Sequence, residues 1–244
     1  MRGIRRILTA LVAVAITIAG ASPSIAGSGA AGTPQPLASA LSGTAAVDLS
    51  AGNLHSCAVL SDGRVACWGL GTSGQLGNAT NSSANTPTAV LGITNATMVD
   101  GGNAHSCALL SDSTVKCWGD NGFGQLGNGT NTPSNVPVAV SGISNATKIT
   151  TGFDFGCALL ANTTVKCWGN GNNGSLGNGA NASSNVPVVV SGLSGATAIS
   201  AGSGTSCALM SGGLVKCWGY GGSGALGNGS KQQFEHSRLR CALF

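Results

Sequence analysis

The chain has 244 residues and a formal charge of +4, yet only 7% of its residues are charged, 4% are aromatic and 40 are glycine. Helices draw mainly on Ala, Leu, Glu, Lys, Gln, Arg and Met, so a glycine-rich chain this poor in charge excludes a coiled coil or a largely helical enzyme. An apolar fraction of 42% still supplies a core, and the composition points to an all-β, turn-rich architecture.

At the amino terminus, Arg2, Arg5 and Arg6 precede an apolar stretch from Ile7 to Ala19, followed by the small-residue run Ser24-Ile25-Ala26-Gly27. This is the layout of a secretory signal peptide over residues 1–26, cleaved after Ala26. A retained anchor is the alternative, but a membrane span needs about 18–20 apolar residues. No second segment of that length follows, so no stable span is expected after cleavage. The expected location is secreted or extracytoplasmic.

From Val47 onward the chain repeats itself. The segments SCAVLSDGRVACWG, SCALLSDSTVKCWG, GCALLANTTVKCWG and SCALMSGGLVKCWG begin at Ser56, Ser106, Gly156 and Ser206, a period of 50 residues. Each is followed by SGQLGN, FGQLGN, NGSLGN or SGALGN. A third shared piece, TPTAVLGITNAT, VPVAVSGISNAT and VPVVVSGLSGAT, closes the first three copies only. The modules are therefore placed at residues 46–95, 96–145, 146–195 and 196–230. Residues 27–45 are a linker in which Gln35 to Gly43 weakly echo VPVVVSGLSG and could supply a closing strand. Residues 231–244 form a non-repeat tail whose denser charge marks a different composition.

Within a module, period-two alternation predicts a hairpin turning near Ser61 to Arg64, with Cys57, Val59, Val65 and Cys67 on one face and Ala58, Leu60 and Trp68 on the other. Both faces are apolar. One module cannot cover itself, whereas modules stacked face to face can. A strand before the hairpin, such as Met98 to Asp100 or Lys148 to Thr150, and a Pro-Val-x-Val strand after it bring each sheet to four strands. The Asn128-Gly129, Asn178-Gly179 and Asn228-Gly229 pairs read as turns requiring positive φ.

The strand Cys-Ala-Leu-Leu-Ser-Asp, the Val-Lys-Cys-Trp-Gly after it and the Gly-x-Leu-Gly-Asn turn resemble the RCC1-type repeats, named for the regulator of chromosome condensation. The resemblance runs from about Val47 to Gly229 and implies a β-propeller of four-stranded blades. Full rings of that family commonly have seven blades. Four modules, the last lacking its closing piece, imply an incomplete or open ring.

Eight of the nine cysteines form four pairs, Cys57 with Cys67, Cys107 with Cys117, Cys157 with Cys167, and Cys207 with Cys217. Each pair falls on one face of a hairpin, nearly opposite across it, in a chain expected to be exported, so disulfides are the natural reading. Metal sites usually show closely spaced C-x2-C pairs, and none is present. Cys241 is left over. No metal or other cofactor is expected.

His55 and His105 share one module position that Phe155 and Thr205 occupy later, which reads as a structural hydrogen-bonding site. Asp62 and Asp112 are turn residues, and the remaining aspartates do not share a position, so paired-carboxylate catalysis is poorly supplied. Between residues 27 and 230 the basic residues are Arg64, Lys116, Lys148, Lys166 and Lys216, against Asp48, Asp62, Asp100, Asp112, Asp120 and Asp154. A body so near neutrality argues against binding a phosphate backbone.

Alternate connections in such a sheet open onto opposite ends. The end carrying residues 53–55 and 70–73, with their equivalents, varies among modules, and Phe123, Phe153, Phe155 and Tyr220 stand out on it beside Asp120 and Asp154. Aromatics often anchor interfaces, and the equal alternative for Phe153 and Phe155 is that they fill space vacated by smaller framework residues. The four tryptophans recur at a fixed site and read as packing residues. The leading expectation is a secreted, non-catalytic repeat protein that presents this rim to another protein, with carbohydrate as a further possible ligand and no nucleic acid. An extracellular carbohydrate-active enzyme is the first alternative. Guanine-nucleotide exchange or chromatin regulation, implied by the family name alone, is the second.

Overall fold

The structure is a computed structural model that describes residues 44–229. The expected signal segment, the Gln35–Gly43 echo, Cys241 and the tail lie outside the described residues. Within them, fifteen strands form four antiparallel meanders. The first contains β1 (Ala46–Ala51), β2 (His55–Leu60), β3 (Val65–Gly69) and β4 (Ala84–Ala89). The second contains β5 (Ala96–Gly101), β6 (His105–Leu110), β7 (Val115–Gly119) and β8 (Ser134–Ala139). The third contains β9 (Ala146–Thr151), β10 (Phe155–Leu160), β11 (Val165–Gly169) and β12 (Ser184–Val189). The fourth has β13 (Ala196–Ala201), β14 (Thr205–Met210) and β15 (Val215–Gly219), and no fourth strand among the described residues.

The hairpin register is the same in every sheet. Cys57 lies directly opposite Cys67, Cys107 opposite Cys117, Cys157 opposite Cys167, and Cys207 opposite Cys217. All four pairs are disulfide-bonded, with Cα–Cα separations of 4.0–4.1 Å. The turn closes where the sequence places it: the Gly63 N–H donates to Leu60 O at 2.8 Å and the Leu60 N–H to Arg64 O at 2.8 Å. The three Asn-Gly turns also carry their expected geometry, with Gly129, Gly179 and Gly229 at φ of 85°, 90° and 76°.

The two apolar faces meet between neighbouring sheets. Cys57, Val59, Val65 and Cys67 of the first sheet share a core with Ala108, Leu110 and Trp118 of the second. Cys107, Leu109, Val115 and Cys117 pack in the same way on Ala158, Leu160 and Trp168, and Cys157, Leu159, Val165 and Cys167 on Ala208, Met210 and Trp218. Each disulfide face is thus covered by the next sheet's tryptophan face, which answers the two-faced hydrophobicity of a single module. On the fourth sheet no following sheet is described, and Leu209 is 42% exposed where Leu109 and Leu159 are 5% and 4% exposed.

Every junction uses a matching set of polar ties. The Trp118 indole N–H donates to Gln75 O at 2.9 Å, Trp168 to Gln125 O at 3.0 Å and Trp218 to Ser175 O at 3.1 Å. Along the inner strands, the Asp48 carboxylate accepts from the Val99 N–H at 2.8 Å and the Asp100 carboxylate from the Thr151 N–H at 2.8 Å. At the third junction the Thr150 hydroxyl takes that role, accepting from the Ala201 N–H at 3.0 Å. Asp48 and Asp100 therefore satisfy backbone donors between sheets, where an unpaired N–H would be costly.

Candidate functional site

Two connections per sheet open onto one end of the molecule: the short link after the first strand and the long link after the third. The short links are tied from module to module. The Asn53 N–H donates to Gly102 O at 3.0 Å, the Asn103 N–H to Phe153 O at 2.8 Å and the Phe153 N–H to Ser203 O at 3.2 Å. The rim is consequently a ledge of hydrogen-bonded backbone on which side chains vary.

A cavity of about 360 Å³ opens on this ledge between the third and fourth sheets. Phe153, Asp154 and Phe155 line it from the third module's short link, and Asn170, Asn172, Asn173 and Ser175 from its long link. Ser203, Gly204 and Tyr220 complete it from the fourth module. Phe153 and Tyr220 are 44% and 45% exposed and present their rings to solvent. Tyr220 is seated by Gly222, whose missing Cβ leaves room for the phenol ring, and its N–H donates to Gly204 O at 2.9 Å. Asn173 sits at φ 60° in a short 3-10 turn (Asn172–Gly174), a left-handed conformation that Asn tolerates.

Not every expected rim residue reaches this cavity as a surface contact. Phe155, which the sequence leaves open as a rim anchor or a filler of framework space, is only 1% exposed, so its ring forms the cavity floor and belongs to the core. The reason is local: it occupies the slot that His55 and His105 fill in earlier modules, with its ring over Gly152, where a Cβ would collide with it. Phe123 is 42% exposed but lies on the second module's long link, outside the lining of this cavity. The Asp120 carboxylate is held by the Gln125 side-chain amide, which donates to it at 2.8 Å.

The cavity has a structural origin in module-to-module substitution. Gln75 and Gln125 are fully buried at the first two junctions, and each accepts a backbone N–H from its own long link, that of Ser73 at 2.9 Å and of Phe123 at 2.8 Å. Ser175 stands at the equivalent third position and is two heavy-atom bonds shorter in reach. Ser203 and Gly204 likewise stand where Phe153 and Asp154 stand one module earlier. Three small residues therefore replace three larger ones around one point. The change from Gln to Ser in NGSLGN is visible in the sequence, but nothing in the pattern says that Gln is a buried plug.

The Asp154 carboxyl is half-buried, with the Asn103 amide donating to one oxygen at 3.4 Å. Burial pushes its pKa up, the Asn103 hydrogen bond opposes this, and the nearby Asp120 charge raises it further.

Two models of the "Regulator of chromosome condensation (RCC1) repeat" match the sequence, one over residues 62–109, 113–159 and 165–209, the other over residues 46–75, 99–125, 146–175 and 196–225. The chain belongs to the RCC1 repeat family. Solved RCC1-type propellers share the fold. Yeast RCC1 (Prp20) superposes with a TM-score of 0.73 at 22% identity over 82% of this chain and 49% of that one. Human WBSCR16 superposes with a TM-score of 0.71 at 26% identity over 80% of this chain and 52% of that one. The chain spans about half the length of the solved structures it matches. The four meanders are thus blades of an RCC1-type β-propeller.

In the first two RCC1 repeats the buried ring is histidine. His55 and Ser106 hydrogen-bond at 2.8 Å, and the Ser106 hydroxyl donates to Gln75 O at 3.0 Å, which leaves His55 Nε2–H as the donor. The hydrogen-bonding role expected from the repeat is met at His55, whereas neither His105 nitrogen makes a short hydrogen bond and only a weak backbone interaction with Phe155 acts on that ring. Burial lowers the His55 pKa to about 4; burial, with the His55 charge adding and the Phe155 backbone opposing, lowers that of His105 to about 3. Both folded values lie below the unfolded 6.5, so the unfolded chain binds more protons and stability rises with pH across that window. Thermal unfolding at pH 7.5 and pH 4.5 should show a lower midpoint at the acid pH. His105→Phe, which installs the third module's residue, should reduce that difference. An unchanged pH response in His105→Phe would show that this histidine is not responsible.

Proposed function

We propose that this RCC1-repeat chain is exported and, without a catalytic step, binds a protein partner through the rim centred on Phe153, Asp154 and Tyr220, with Phe123 and Asp120 beside it and Phe155 supporting it from below. The observation that carries the reading is the contrast between frame and rim. Cysteine, tryptophan and the ties between blades repeat at every junction, while the residues around the third junction's cavity do not. Half-exposed aromatic rings around a concave, partly apolar site are the usual anchors of a recognition surface.

Yeast RCC1 (Prp20) has been solved with Kap60, and work on the same protein describes binding to Gsp1p and histones. Those partners belong to that protein, but they support the use of this fold as a protein-binding scaffold. Export is supported by the amino-terminal signal pattern together with four disulfides, which form in oxidising compartments. The near-neutral charge of the repeat body favours a protein over a nucleic acid.

The test is affinity capture from the secreted fraction, comparing wild type with a Phe153→Ala, Asp154→Ala, Tyr220→Ala triple variant. Phe155 stays in place because it is a core residue. A partner retained by wild type and lost from the variant, at equal unfolding midpoints, is the expected outcome. Equal recovery by both proteins would end the rim assignment.

A further inference from the structure

We infer that the cavity between the third and fourth blades is a receptor for an arginine side chain of the partner, held between the Phe153 and Tyr220 rings and the Asp154 carboxylate. This rests on the protein-binding reading and specifies its chemistry. A guanidinium is planar: it stacks on aromatic faces and presents a fork of donors to a carboxylate, which a lysine ammonium does not reproduce. Both rings at this site are nearly half exposed, and the Asp154 carboxyl, which lines the same cavity, has a single long hydrogen bond within the described residues, from Asn103. The Asn172 side-chain amide, exposed at the mouth, offers a neutral acceptor for a remaining guanidinium N–H.

Charge distribution selects the sign of the ligand. Among the described residues, the cations cluster away from this end. Arg64 pairs with Asp62 at 2.7 Å in the opposite hairpin turn. Lys116, Lys166 and Lys216 reach the carbonyls of Gly92, Gly142 and Gly192 at 3.1–3.3 Å, in the connections at that same opposite end. Lys148 lies within β9. The rim thus carries the carboxylates of Asp120 and Asp154 without a described cation, and a cation brought by the partner would offset the cost of burial that now raises the Asp154 pKa.

The chain contains a single tyrosine, so the ring resonances of tyrosine-labelled protein come from one residue and report the cavity directly. The full mature chain is titrated by NMR with N-acetyl-arginine methylamide, with its neutral isostere N-acetyl-citrulline methylamide, and with methyl β-glucoside as a neutral sugar. The arginine probe should give a saturable shift of the Tyr220 ring, and the citrulline probe should bind roughly tenfold more weakly. Asp154→Asn, which keeps the side-chain shape, should weaken the arginine probe by about the same factor. Ser175→Gln, which restores the residue buried at the first two junctions, should abolish the shift.

Equal binding of the arginine and citrulline probes, or a response to the sugar alone, would overturn the assignment. So would a silent Tyr220 ring in protein that still captures its partner through the rim, and in that case the protein-binding reading would survive. A saturable arginine response in protein whose rim variants capture as well as wild type would instead keep the receptor and remove that reading.

Discussion

Replacing Cys157 and Cys167 together by alanine is expected to lower the unfolding free energy by about 2–3 kcal/mol, the loop-closure value for a bridge across so short a segment. The two residues face each other across β10 and β11 with Cα atoms 4.0 Å apart, and both are buried in the core shared with the fourth blade. The bridge therefore restricts the unfolded chain. One such bridge sits in each described blade. Losing all four would remove roughly 10 kcal/mol, comparable to the entire stability of a typical domain at about 5–15 kcal/mol. The reduced chain should accordingly unfold as a whole when reductant is given access in mild urea. Chemical denaturation of the Cys157→Ala, Cys167→Ala variant, followed by circular dichroism, checks the single-bridge value. A change below about 0.5 kcal/mol, the range of ordinary surface substitutions, would remove the bridges from the account of stability.

Trp168→Ala should cost more than Trp68→Ala, although the two residues occupy equivalent positions. Trp168 is 1% exposed and packs on Cys107, Leu109, Val115 and Cys117 of the preceding blade. Its truncation leaves a large cavity and deprives Gln125 O of a buried donor, so a loss of about 3–5 kcal/mol is expected. Trp68 is only partly buried, and no preceding blade among the described residues lies against it. Its truncation should cost less than half as much. Urea unfolding of the two single variants measures the difference directly. Equal losses would mean that tryptophan stabilises its own sheet and not the junction between sheets.

These two predictions rest on features that were legible to different depths. The hairpin turn, the Cys57 to Cys67 opposition and the alternation of faces follow from a period of two within a period of 50 residues, and each appears as expected. The flanking strands were also legible, because Pro-Val-x-Val and the residues before each hairpin keep strand-like patterning. The functional end was legible only as a variable rim. Phe155 reads in the sequence as a rim aromatic or a filler of framework space, and only the fold shows that its slot is a core slot, where each earlier blade holds a buried histidine ring over a glycine. Ser175 gives no signal in the sequence, because a serine in a turn motif looks ordinary and only the fold buries its counterparts Gln75 and Gln125.

By itself the amino-acid sequence determined the module: its strands, its turn, its cysteine pairing and its RCC1 family. Those properties depend on neighbours close along the chain and on patterns that recur without drift. The tertiary structure alone decided which disulfide face meets which tryptophan face, that Phe155 lies inside and Phe153 outside, and that small residues at Ser175, Ser203 and Gly204 open one cavity. Those outcomes depend on side chains about thirty to fifty positions apart converging across a blade junction, and no local periodicity encodes the space left between them.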